Sequence, residues 1–158
     1  MDLLGSEKIT NILNNFLAQF ELTAEMGMDF SYYYDDNLIT YSLIYSEQGA
    51  SDFMESVEEK SPTIDADVFL WSVLHEVGHH ETIDELTEEE EEYSENTKRR
   101  ILEENLPHKL YYNLPDEYAA TSWAVQYAEE HFEEISDLWN KLREAIMEFY
   151  EANHVEVD

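Results

Sequence analysis

The sequence predicts an α+β fold, mainly helical, with a small antiparallel hairpin set ahead of a buried helix. Three observations predict it. Apolar side chains recur at helical spacing in several segments, whereas only residues 30–45 are rich in Tyr, Ile and Thr around a turn signal. The run Ile64-Asp65-Ala66-Asp67-Val68-Phe69-Leu70-Trp71-Ser72-Val73-Leu74 becomes apolar almost all round, the mark of a helix enclosed by protein. No Gly or Pro interrupts residues 116–152, so nothing there stops a helix.

Each element has its own signal. Ile9, Ile12, Leu13, Phe16, Leu17 and Phe20 make residues 6–24 an amphipathic helix, with Gly27 closing the segment. Phe30–Tyr34 and Leu38–Tyr45 flank Asp35-Asp36-Asn37 and read as the hairpin. Gln48-Gly49-Ala50-Ser51 breaks the pattern, and Ser51-Asp52 is placed to cap a short helix running to Lys60. Thr63 or Asp65 then caps the buried helix after Pro62. Thr87 with Glu90 fits a capping box, and acids at the start with Lys98-Arg99-Arg100 near the end suit the dipole of a surface helix over about 87–104. Asn105-Leu106-Pro107 ends it, and Leu114-Pro115 opens the next. Ala120, Trp123, Ala124, Tyr127 and Ala128 mark one helix; Leu138, Trp139, Leu142, Ala145, Ile146 and Phe149 mark another, with a break expected near Ile135-Ser136-Asp137. No repeat or linker is visible, so residues 1–158 read as a single domain.

Composition narrows the function classes. The 158 residues carry a formal charge of −30, which argues against direct binding to nucleic acid or an anionic membrane. A basic peptide or protein partner, a salty environment or plain solubility all fit the charge, and a solvated acidic surface is the simplest reading. No run of about 18 apolar residues is present to span a membrane. The start, Met1-Asp2-Leu3-Leu4-Gly5-Ser6-Glu7-Lys8, lacks the basic region and continuous apolar core of a signal peptide, so a cytoplasmic location is the simplest expectation. The chain has no cysteine, hence no disulfide, thiolate ligand or Cys nucleophile. The acidic stretch from Asp84 to Glu95 lacks the alternating Asp/Asn ligands and central Gly of a calcium loop, and reads as a solvated helix face.

The chemistry lies in His75-Glu76-Val77-Gly78-His79. Residues four apart share a helix face, so both imidazoles can reach one metal ion, and Glu76 between them can act on a water there. In a composition this rich in His and Glu, such a pentad is expected by chance about 0.04 times per chain. Its context therefore carries part of the argument. Two histidines and a glutamate at the end of a buried helix are costly unless paired or bound to metal. Zn2+ is the expected ion, since two imidazoles with an oxygen ligand are a catalytic zinc set.

A catalytic zinc takes three protein ligands and keeps a position for water, so a third ligand must come from downstream. The His-x-x-Gly-x-x-His extension is absent, because Ile83-Asp84-Glu85 follows instead. Glu117 is the leading candidate: it lies in the first turn after Pro115, with Ala120 and Ala124 on its face to let that helix approach closely. Asp116 is the main rival, about 100° away on the same turn. As a plain first-turn carboxylate, either residue would also suit the helix dipole.

His75-Glu76-Val77-Gly78-His79 followed by Glu117-Tyr118-Ala119-Ala120-Thr121-Ser122-Trp123-Ala124 resembles the ImmA/IrrE-type small gluzincin metallopeptidases. Those carry a His-Glu-x-Gly-His helix and then a Glu-x-x-Ala-x-x-aromatic-Ala helix. The resemblance implies a zincin-like domain with a small antiparallel sheet before the active-site helix. It also implies His75, His79 and Glu117 as zinc ligands, with Glu76 as general base. Members of that family are often encoded by phages or mobile elements and cleave repressors. Thr121 departs from the pattern, standing where Asn or Asp is common.

The expected activity is peptide-bond hydrolysis by a zinc-activated water, with Glu76 moving the proton. Tyr111, Tyr112, Tyr118, His80 and His108 are the candidates to stabilise the oxyanion. His108 is also read, with His131 and His154, as an ordinary surface histidine. The rival reading is a non-catalytic acidic protein that mimics nucleic acid or captures a basic partner, with a structural zinc.

Overall fold

The computed structural model describes residues 6–44 and 47–153, apart from the side chains of residues 108 and 109, and its contacts fall into two compact units. One unit comprises residues 6–44 and 131–153, the other residues 47–130. The molecule is α+β and mainly helical, with one small sheet. No helix among the described residues is long and apolar enough to cross a membrane.

In the first unit, helix α1 (Ser6–Leu17) buries Ile9, Leu13, Phe16 and Leu17 along one face. The helix expected through residue 24 is shorter. After a 3-10 turn at Ala18–Phe20, Glu21 adopts a left-handed conformation with φ 61°, which no helix can propagate. The chain then re-enters as strand β1 (Thr23–Met26), where Asn14 Oδ1 accepts the Ala24 N–H at 2.7 Å.

The hairpin forms where the sequence places it, from β2 (Ser31–Tyr33) and β3 (Leu38–Tyr41) paired antiparallel with Ser31 opposite Thr40. A 3-10 turn at Tyr34–Asp36 joins them, and Asn37 closes it at φ 48°, a conformation Asn tolerates well. The sheet is mixed rather than wholly antiparallel, because β1 adds to the other edge of β3 in parallel, Thr23 opposite Leu38. Helix α6 (Phe132–Ala152) packs on α1 and buries Ile135, Leu138, Leu142, Ala145, Ile146 and Phe149. The break expected at 135–137 lies earlier, at His131, because Ile135 belongs to the buried stripe.

The second unit holds four helices. Helix α2 (Glu47–Glu58) runs through Gly49, so the expected break at 48–51 is absent. A helical Gly costs only about 1 kcal/mol against Ala, and burial of Phe53 and Val57 on the same helix outweighs it. Helix α3 (Val68–Thr82) starts later than the apolar run. Its cap is Asp67, which accepts the Phe69 N–H, and neither Thr63 nor Asp65 takes that role. Thr63 instead donates through both its N–H and its hydroxyl to the Glu129 carboxylate. Helix α4 (Glu88–Glu103) forms behind the Thr87–Glu90 capping box as expected, burying only Ser94 and Ile101. Pro115 opens helix α5 (Pro115–Glu130), a position that suits its fixed φ and missing N–H.

The most intimate contact in this unit is between α3 and α5. A Cβ added at Gly78 would overlap the Ala120 carbonyl oxygen and come within 2.9 Å of the Ala120 carbonyl carbon and Cα. Those are backbone atoms, which no rotamer change can move. Helix propensity alone would favour Ala at this position by about 1 kcal/mol. Gly78→Ala is nevertheless expected to destabilise the protein by about 1–3 kcal/mol through forced separation of α3 and α5. Urea unfolding measures the difference, and a neutral or stabilised variant would contradict the close crossing.

Candidate metal centre

The α3–α5 crossing sets the pentad against the start of α5. His75 and His79 lie one turn apart on α3, with ring centroids 4.7 Å apart. His75 Nε2 sits 2.9 Å from Glu117 Oε1, and His79 Nε2 sits 3.0 Å from Glu117 Oε2. One nitrogen from each histidine and one Glu117 oxygen all lie within 4.8 Å of one another, a group that could hold a metal ion. Of the two carboxylates open in the sequence, Glu117 is the one in this group. Asp116 turns to Lys98, with Oδ2 2.6 Å from Nζ, while its Oδ1 accepts the Glu117 backbone N–H at 2.9 Å.

Burial defines the electrostatics. Glu117 is 2% exposed and His75 5%, while His79 is partly open. Burial alone would push the Glu117 carboxyl up, but hydrogen bonds and charge from His75 and His79 hold it well below the usual carboxylate range. Burial lowers the His75 pKa, and Glu117 only partly offsets it, so the ring stays neutral. For His79 burial also lowers the pKa, but the bond to Glu117 and the charges of Glu117, Glu76 and Asp116 outweigh it and leave it raised.

A neutral imidazole and an ionised carboxylate are the forms in which these groups bind metal. Donors on a tetrahedral zinc at about 2.0–2.1 Å stand roughly 3.3 Å apart. The separations of 2.9 and 3.0 Å run from the two imidazoles to different Glu117 oxygens, and the three ligand atoms lie within 4.8 Å of one another, so the side chains must draw together to meet that spacing. In its chemistry the donor set fits such an ion.

Glu76 is buried on α3, and its charge is felt at His79, Tyr111 and Tyr112. Tyr111 and Tyr112 belong to the 3-10 segment His108–Asn113, and Tyr112 stacks at an angle on Phe53, which in turn packs edge-on against His75. Burial and the Glu117 charge raise both phenols, Tyr112 to about 12, so both remain donors at neutral pH. Tyr118 is half exposed, with Lys60 Nζ 3.5 Å from its ring centroid. His80 is partly exposed at the end of α3, and His131 is exposed. The His108 side chain and His154 lie outside the described residues.

Two contributors are not apparent from the pentad. Thr121 Oγ1 lies 2.9 Å from His75 Nδ1, and both groups are buried. Its place four residues after Glu117, on the same face of α5, is the sequence signal for that role. The second is Lys98, read from the sequence as a base for the α4 dipole. Its Nζ is 2.9 Å from Glu117 Oε2 and 4.9 Å from the Tyr111 ring centroid. Lys98 falls at i and i+4 with buried Ser94, and three residues before buried Ile101, so the inner face of α4 includes it. The acids Glu88, Glu89, Glu91 and Glu92 are exposed, as a solvated face requires.

No protein-family model, curated protein or solved structure matches this chain.

Thr121→Val removes the hydroxyl with little change of shape and leaves a buried imidazole nitrogen without its partner. A loss of about 1–3 kcal/mol is expected for such an unsatisfied group. Chemical denaturation of the metal-free variant checks it, and unchanged stability would mean the Thr121–His75 bond contributes nothing.

Proposed function

We propose that the protein is a zinc-dependent metallopeptidase with a zincin-like, gluzincin-type site. The observation that carries the reading is the convergence of His75, His79 and Glu117 beside the buried carboxyl of Glu76. The resemblance of the two helical motifs to ImmA/IrrE-type gluzincins supports the same assignment. Bound zinc would lower the pKa of a water and polarise a scissile carbonyl.

The chain's own residues supply the rest. His75, His79 and Glu117 would hold the ion, and Thr121, bonded to His75 Nδ1, would leave Nε2 as the nitrogen to meet it. Glu76 accepts the proton of the attacking water and returns it to the leaving amine. Tyr111 and Tyr112, kept protonated, are the proposed donors to the oxyanion. A purely structural zinc would call for a fourth protein ligand, and the metal-capable group among the described residues has three members. The substrate is a peptide or protein, with basic segments favoured by the charge of −30.

The purified protein is expected to contain about one zinc per chain, lost on chelation and in His75→Ala, His79→Ala and Glu117→Ala. Glu76→Gln should retain zinc and lose peptidase activity, because an amide cannot accept the proton. Metal analysis alongside cleavage of a panel of basic proteins measures both. Absence of zinc after growth in zinc-replete medium would overturn the reading, as would full activity in Glu76→Gln.

A further inference from the structure

We infer that Lys98, delivered from the acidic helix α4, is a positioning residue that holds Glu117 in its metal-binding rotamer. The inference rests on the metal reading above. Its basis is a closed ring of contacts. Glu117 Oε2 meets Lys98 Nζ at 2.9 Å, Lys98 meets Asp116 Oδ2 at 2.6 Å, and Asp116 Oδ1 accepts the Glu117 backbone N–H at 2.9 Å. The Glu117 side chain is thereby tied back to its own backbone through a neighbouring ammonium.

Charge gives the ring its direction. Asp116 and Glu117 are adjacent carboxylates, and without a cation between them they repel each other. Glu117 would swing away from Asp116 unless held. Lys98 removes the repulsion and takes one lone pair on Oε2, leaving Oε1, 2.9 Å from His75 Nε2, and the rest of Oε2, 3.0 Å from His79 Nε2, turned towards the two imidazoles. A glutamate has three side-chain torsions to order, so fixing them in advance favours capture of the metal.

Lys98 also faces the Tyr111 ring, so the ammonium is held on three sides by groups of α5 and the preceding 3-10 turn. Helix α4 buries only Ser94 and Ile101 besides this contact. Any movement of α4 therefore reaches the metal ligand through Lys98.

The test is zinc affinity, measured by competition with a chromogenic chelator, in wild type, Lys98→Met, Lys98→Arg and Asp116→Asn. Lys98→Met keeps most of the apolar stem of the side chain and removes the ammonium, with both its charge and its donors. It is expected to weaken zinc binding by about 10–100-fold, the usual effect of losing a group that orients a ligand. Lys98→Arg should recover most of that loss, and Asp116→Asn should show a smaller one. Thermal melting of the metal-free proteins confirms that each variant is folded. Equal or tighter zinc binding in folded Lys98→Met, beside a wild type that binds zinc, would overturn this inference alone and make Lys98 a mere competitor for Glu117. A wild type that binds no zinc would instead overturn the metal reading, and this inference with it.

Discussion

Glu117 is a carboxylate almost completely removed from water, and the organisation of the second unit follows from keeping it charged there. A lone buried carboxylate would take up a proton rather than bear the desolvation cost. This one is surrounded by His75, His79 and Lys98, all within 3.0 Å. Three donors converge on two oxygens, and the His75, His79 and Glu117 part of that group could hold a metal ion. The donors come from two helices besides its own. Their registers must agree to within a fraction of an ångström, and that demand selects small residues where the helices meet.

Gly78 and Ala120 are those residues. Only a glycine on α3 allows the Ala120 backbone to lie where it does, and the same crossing brings the first turn of α5 opposite the two histidines. Thr121, one position beyond Ala120, then reaches His75 Nδ1. A residue chosen for close packing and a residue chosen for hydrogen bonding thus sit side by side. Helix α4 meets a different requirement. Its outer face carries the exposed Glu88, Glu89, Glu91 and Glu92, while its inner face contributes one ammonium to the buried cluster.

The legible part of the sequence was that in which period and chemistry coincide. The i,i+4 histidines, the Thr87–Glu90 box, the Asp35-Asp36-Asn37 turn and the Pro115 helix start all act within a few residues, so local rules suffice. Glu117 was legible as the carboxylate that meets the two histidines because Ala120 and Ala124 mark the packing face of its helix. Strand β1 was not. Residues 18–24 continue a helical apolar pattern, and only the left-handed turn at Glu21 and the pairing with β3 convert them to a strand. The start of α3 was misplaced because burial of Ile64 and Ala66 resembles a helical stripe, although both precede the Asp67 cap. Gly49 failed as a breaker because a one-residue propensity is smaller than the burial of Phe53 and Val57. Lys98 escaped notice for a related reason. Its partners lie 18 and 19 residues away on another helix, and nothing local separates a lysine in a cluster from a lysine at a helix end.

The central claim is that His75, His79 and Glu117 form one metal-binding centre with a position left open. Anomalous diffraction at the zinc edge, on crystals of the zinc-loaded protein, tests it most directly. The account predicts a single strong peak at about 2.0–2.2 Å from His75 Nε2, His79 Nε2 and a Glu117 oxygen. Its remaining coordination position should be filled by water or an added hydroxamate rather than by a protein side chain. A peak confined to the exposed acids of α4, or a shell closed by a fourth protein ligand, would contradict it.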